Sequence, residues 1–134
     1  MPTILFVEDD PLIMLSAASM LEDHGWTVKK AANGAVAIER FPELASDVDA
    51  MVVDIRLGQG PDGWDVARYA RSLSRKLPVA YITGDDHAAR SNVERVDGGV
   101  VLRKPITGTD LVAALRRLIG IEARGAGRSR VKTR

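Results

Sequence analysis

The chain has no cysteine. Disulfides, thiolate nucleophiles and zinc–sulfur centres are therefore excluded, and cysteine usage says nothing about a redox compartment. Histidine is scarce too: His24 and His87 stand alone in sequence, without a neighbouring set of ligands, and read as surface side chains rather than phosphate carriers. No apolar run reaches the length of a membrane span, and Met1-Pro2-Thr3 leads into a strand-like run without a basic leader. A cytoplasmic protein with no membrane partner is expected. Charge of one sign is also missing, since 19 Lys and Arg oppose 18 Asp and Glu. A net charge of +1 gives the whole domain no field that would gather nucleic acid or anionic lipid.

What is present suffices for one core. A chain of 134 residues with 46% hydrophobic and 28% charged residues has the composition of an ordinary globular domain. Such a domain buries roughly two thirds of the surface its unfolded chain exposes. Apolar runs of strand length recur near 3–8, 26–31, 49–54, 79–83 and 100–103, each followed by room for a helix. That alternation predicts a parallel, doubly wound sheet. The first, third and fourth runs are nearly continuous in apolar residues, as strands covered on both faces must be, and belong at its centre.

Helix starts are readable. Asp10 can cap a helix with Pro11 at its first position, followed by Leu12, Leu15, Ala18 and Leu21, with His24-Gly25 as its end. Thr107 to Asp110 reads as a capping box ahead of Leu111, Ala114, Leu115 and Leu118. Further helices are expected over about 33–42, 63–75 and 86–96, with Asn33 and Asp85 or Asp86 as caps. After Gly120 the chain turns basic and apolar-poor, with Arg124, Arg128, Arg130, Lys132 and Arg134, so a flexible tail is expected over 121–134. No aromatic interrupts the tail, and base stacking is not expected of it.

The chemistry sits where the runs end. The first closes on Glu8, Asp9 and Asp10, the third on Asp54, the fourth on Thr83 and the fifth on Lys104-Pro105. In a parallel sheet these tips lie along one edge, where ligands bind in open α/β folds. Carboxylates crowded there repel by several kcal/mol at an effective dielectric of about 20. A proton, a lysine or a metal must relieve that repulsion, and an all-oxygen donor set favours Mg2+. The set predicts phosphoryl transfer to a carboxylate: Asp54 as nucleophile, already ionised at neutral pH, with Lys104 and Thr83 binding the phosphoryl oxygens. The plain alternatives are a helix cap with solvated acids, a surface Lys104–Asp54 ion pair and a strand-end hydroxyl. Asp10 is read as a cap only. Trp26 and Trp64 are read as packing residues, with a contact surface as the alternative for Trp64. Arg56 and Asp85 each lie two residues past a site residue and are expected to flank the approach of water and tune hydrolysis.

Val7-Glu8-Asp9-Asp10, Val52-Val53-Asp54, Ile82-Thr83-Gly84 and Arg103-Lys104-Pro105, in this order and spacing, resemble the receiver domain of bacterial two-component response regulators. The resemblance covers about residues 3 to 119, within an expected receiver domain over 1–120. It implies a flavodoxin-like fold: five parallel strands in the order 2-1-3-4-5, wound with five helices. It implies Asp54 as the phosphoacceptor of a histidine kinase or a histidine phosphotransfer protein, and an acidic pair, Glu8 and Asp9. Metal ligation would come from Glu8, Asp9, Asp54 and the Arg56 backbone carbonyl. Thr83 would be the switch hydroxyl, Lys104 the phosphate-binding lysine, and the Lys104–Pro105 bond a candidate for cis. Nucleic acid is not an expected partner of the domain, and an unidentified downstream protein is.

Three departures stand out. The position three residues before Lys104, usually Tyr or Phe in the family, is Val101. The loop from Ile55 to Gly63 looks one residue longer than the common form and carries Gly58 where proline is frequent, and its glycines suggest mobility. Pro78 to Gly84 is similar to a subgroup of single-domain receivers with an aromatic before Thr-Gly, so Tyr81 is expected to take over part of the missing aromatic's switching role. A phosphate sink or relay intermediate is the alternative to an output switch. A Mg2+-dependent aspartyl-phosphate hydrolase is the rival from another class, although such enzymes usually have a second Asp where this chain has Arg56. A binding module whose acids never turn over is the third reading.

Overall fold

Apolar runs alternating with amphipathic stretches fold, in a computed structural model that describes residues 1–85 and 94–120, into five strands and four helices. In chain order these are β1 (Thr3–Val7), α1 (Pro11–Asp23), β2 (Thr27–Ala31), α2 (Gly34–Leu44), β3 (Ala50–Asp54), α3 (Gly63–Leu73), β4 (Val79–Thr83), β5 (Val100–Arg103) and α4 (Gly108–Ile119). All neighbouring strands pair in parallel, in the order β2-β1-β3-β4-β5. This is the predicted flavodoxin-like order, with the first, third and fourth runs at the centre. The helix expected over 86–96 falls mostly outside the described residues, as do His87 and the basic tail.

Burial follows the sheet. β3 and β4 are buried at every position, whereas edge strand β2 exposes Thr27 and Lys30 and so guards an open edge with charge. Side chains alternate between two cores. One, on the α2 and α3 side, gathers Leu5, Val7, Phe41, Met51, Val53, Trp64 and Tyr81. The other, on the α1 and α4 side, gathers Ile4, Phe6, Leu21, Trp26, Val52, Ile82 and Leu115. Trp26 and Trp64 are both buried, so each packs as the plain reading expected. His24 is exposed and hydrogen-bonds the Met20 carbonyl through Nδ1 at 2.9 Å.

Local signals set the helix ends. The Asp10 carboxylate accepts from the Leu12 and Ile13 N–H groups, with Pro11 at the first helical position. Gly25, with φ of 87°, takes the left-handed conformation that ends α1. Asn33 caps α2, and the Thr107 hydroxyl accepts from the Asp110 N–H to open α4. α2 runs to Leu44, two residues past the expected end, with Pro42 inside it. Proline lacks an N–H to donate into the helix, yet Phe41 is buried here and its packing outweighs that loss.

Candidate functional site

Strand register brings the sequence-predicted residues together. Val7 pairs with Val53, Asp54 with Ile82 and Thr83 with Arg103, so Glu8, Asp54, Thr83 and Lys104 all lie at or one step beyond the carboxyl ends of adjacent strands. Backbone bonds extend the ladder past the strands: Glu8 N–H donates to the Ala31 carbonyl, Ile55 N–H to Ile82 and Lys104 N–H to Thr83, at 3.1, 3.0 and 2.8 Å. The peptide bond between Lys104 and Pro105 is cis.

Lys104 Nζ lies 2.7 Å from Asp54 Oδ2 and 3.3 Å from Glu8 Oε1. The other Asp54 oxygen accepts from the Arg56 N–H at 3.0 Å. Glu8 is buried, and its Oε2 accepts from the Asp10 N–H at 3.1 Å. Among the described residues, Glu8 Oε1 is the buried side-chain oxygen left without a hydrogen bond, with the Lys104 ammonium 3.3 Å away. Asp9 is exposed, but Glu8, Asp9 and Asp54 each bring one carboxylate oxygen within 4.8 Å of the others. At an effective dielectric of about 20, the buried Glu8 and Asp54 carboxylates repel by about 3.5 kcal/mol when both are charged, and solvent screens the exposed Asp9 more strongly.

The electrostatics record that crowding. Burial, reinforced by the Asp54 charge and opposed by the Asp10 amide and Lys104, pushes the Glu8 carboxyl up to about 7. For Lys104, burial works to lower the pKa, but the hydrogen bond and charge of Asp54, with Glu8 behind them, prevail and hold it raised. One lysine between two acids, with a third acid beside them, leaves local negative charge and an orphaned buried oxygen. Both suit a hard cation with oxygen ligands.

The remaining predicted residues fall into two groups. Thr83 is buried, and its hydroxyl accepts from the Asp85 N–H at 3.0 Å. Arg56 and Asp85 meet in an ion pair that joins the loops after β3 and β4. Tyr81 and Val101 lie deeper: they are register partners in β4 and β5 and belong to the α3-side core. Tyr81 is fully buried, its ring centroid 4.7 Å from that of Trp64, and its hydroxyl accepts from the Val96 N–H at 3.0 Å. Burial leads the causes that raise the Tyr81 phenol, so it stays protonated.

The loop Ile55–Gly63 uses its glycines for shape. Gly58 and Gly60 take φ of 74° and 86°, a region most side chains avoid. At Gly63 a Cβ would lie 2.4 Å from the Asp54 carbonyl oxygen, so only glycine lets α3 start against the end of β3. Sequence reasoning missed this contact, and it missed the reciprocal Asp62–Asp65 capping box that fixes the start of α3. The Asp-x-x-Asp spacing was the available signal for the box. Asp10 also does more than cap, since its amide holds Glu8.

With this geometry in hand, likeness to known proteins is specific. The sequence pattern of the response regulator receiver domain matches residues 4–116. Response regulator MprA of Mycobacterium ulcerans (strain Agy99) is 34% identical over 119 residues, covering 87% of this chain and 49% of that protein. The chain thus spans about half the length of the curated relatives it matches. Among solved structures, a response regulator receiver protein from Sinorhizobium medicae WSM419 superposes with a TM-score of 0.80 at 37% identity, over 89% of this chain and 94% of that one. Response regulator TrrA from Thermotoga maritima, solved in complex with Mg2+ and BeF, gives a TM-score of 0.76 at 27% identity over 88% and 99%. A sequence match that runs from β1 into α4 means that this chain belongs to the response regulator receiver domain family.

Proposed function

We propose that Asp54 accepts a phosphoryl group from a phosphohistidine on a kinase or phosphotransfer protein, and that the modified domain changes its affinity for a protein partner. The observation that carries this reading is the Lys104 ammonium held 2.7 Å from Asp54 and 3.3 Å from Glu8, with Asp9 completing a three-carboxylate cluster. A carboxylate set against a fixed cation is ready to receive an electrophilic phosphoryl group, whose charge Lys104 then shares.

Glu8, Asp9 and Asp54, with the Arg56 backbone carbonyl, would hold Mg2+. That ion, when bound, supplies positive charge to the carboxylates and the phosphoryl oxygens. Asp54 supplies the attacking oxygen. As its bond to phosphorus forms, the phosphorus–nitrogen bond of the donor breaks, and the leaving imidazole keeps the electron pair and is protonated. Lys104 turns from the Asp54 oxygen to the phosphoryl oxygens, and the Thr83 hydroxyl gives up the Asp85 amide to bind one of them. Thr83 thereby becomes the switch, and Tyr81, two residues before it on the same strand, moves with it, in place of the aromatic that Val101 lacks. The ion pair of Arg56 with Asp85 flanks this site and sets how readily water reaches the acyl phosphate.

Incubation with acetyl phosphate, with and without Mg2+, followed by intact mass measurement tests this reading. A single phosphate adduct that needs Mg2+ and is lost in Asp54→Asn is expected. Many turnovers of an external phosphoester would instead support the hydrolase reading. A transfer time course from a phosphorylated donor separates the two signalling roles: a long-lived phosphoprotein is expected for a switch, and rapid return to the donor for a relay.

A further inference from the structure

Residues 94–99, which precede β5, are held from the α3 side by several independent contacts. Arg71 donates through Nη2 to the Asp97 carbonyl at 2.6 Å while its Nε donates to the Leu77 carbonyl at 2.7 Å. Arg68 reaches Glu94 Oε1 at 2.7 Å. From the sheet, the Tyr81 hydroxyl takes the Val96 N–H at 3.0 Å, and a Cβ at Gly99 would stand 3.1 Å from the Tyr81 ring. The opposite end of this assembly rests on the acidic site. Gly63 N–H donates to the Ile55 carbonyl at 2.8 Å, Gly63 packs on the Asp54 carbonyl, and the next residue, Trp64, meets the Tyr81 ring at 4.7 Å with a tilt of 52°.

We propose that the Tyr81 hydroxyl couples the state of Asp54 to residues 94–99, so that phosphorylation is read on the α3 side of the sheet through the bond from Val96 N–H. The inference rests on the reading of Asp54 as phosphoacceptor. Tyr81 and Thr83 are two residues apart on β4 and share a face of the sheet, so a pull on the Thr83 hydroxyl displaces the strand that carries the phenol. The phenol is wedged against Trp64, whose helix starts on Asp54, and its oxygen is the acceptor for one loop amide. Val101, its register partner, has no polar side-chain atom and cannot replace that bond. The element with two arrangements is thus a single hydrogen bond, made in one state and loosened in the other.

Amide hydrogen exchange on the 134-residue chain by NMR tests this, with Mg2+ and beryllofluoride as the phosphoryl mimic. The Arg56 amide, bonded to Asp54 Oδ1, reports occupation of the site itself. In the unmodified chain, beryllofluoride is expected to shift the Arg56 amide and to change Val96 exchange by about threefold or more. In Tyr81→Phe, Val96 should exchange about tenfold faster without beryllofluoride, having lost its acceptor. It should then no longer respond, although Arg56 still shifts. An Arg56 shift with unchanged Val96 exchange in the unmodified chain overturns the coupling, as does a Tyr81→Phe variant whose Val96 responds as before. Silence at both amides overturns the Asp54 reading and the coupling with it. The unmodified chain decides the matter even if the variant does not fold.

Discussion

The two faces of the sheet are built differently. On the α3 side, Trp64, Tyr81 and Phe41 fill the core, and arginines from α3 tie the neighbouring segment to it. On the α1 and α4 side, the helices leave a solvent-open groove of about 530 Å3 lined by residues such as Phe6, Ala17, Met20, Ile82 and Leu111, with Lys104 and Pro105 at one end. Both faces hang on the same central strands, and the acidic site lies at their common edge. On the α3 side the Tyr81 ring links Trp64 to residues 94–99, whereas the α1 and α4 side opens to solvent beside Lys104. The contrast fits the proposed coupling through Tyr81, with Val101 in place of the family's usual aromatic.

Core truncations give the largest expected effects and can break this comparison outright. Phe41→Ala, on the filled face, should lose stability near the upper end of about 3–5 kcal/mol, because the neighbours cannot collapse into the space left. Phe6→Ala, at the floor of the groove, should fall toward the lower end. Urea unfolding of both variants at one pH checks this, and equal losses would mean that the faces do not differ in packing.

Next comes the edge where the faces meet. The folded-state pKa of Glu8, about 7, stands above its ordinary value of 4.5, so the unfolded chain releases the proton first. Stability of the metal-free protein should therefore fall as pH rises from 4.5 to 7, by about 3.5 kcal/mol at most, and be unaffected by this group below 4.5. Glu8→Gln removes the penalty and should stabilise the metal-free chain at pH 8 by about 1–3 kcal/mol, with no gain at pH 4. Thermal unfolding across that range checks it, and an excess of Mg2+ should reverse the preference by favouring the charged carboxylate.

The smallest effect belongs to the exposed rim. Arg56 is 69% exposed in its side chain, so Arg56→Ala should cost about 1 kcal/mol or less. The lifetime of the phosphoprotein should nevertheless change, since the ion pair with Asp85 flanks Asp54. An unchanged lifetime would remove Arg56 from the list of hydrolysis-tuning residues.

Much of the site was legible because a parallel sheet sorts residues for the reader. Glu8, Asp54, Thr83 and Lys104 are far apart in sequence, yet each ends an apolar run, and parallel pairing carries run ends to one edge. The same logic gave the strand order only with the help of family likeness, since burial puts β1, β3 and β4 at the centre without saying which neighbours which. Side-chain partnerships were out of reach. Nothing local in Tyr81 points to the Val96 amide 15 residues on, and Arg56 meets Asp85 only because two loops fold toward each other. The role of Gly63 was equally hidden: composition suggested mobility, whereas close approach to the Asp54 carbonyl is what requires the missing side chain.

The most direct test of the account locates the modification. The chain is treated with acetyl phosphate and Mg2+, the acyl phosphate is reduced with borohydride to leave a stable mark, and the peptides are sequenced by mass spectrometry. The account predicts a mark on Asp54 alone, weakened in Lys104→Ala and absent in Asp54→Asn. A mark on Glu8, Asp9 or a histidine, or one that persists in Asp54→Asn, would contradict it.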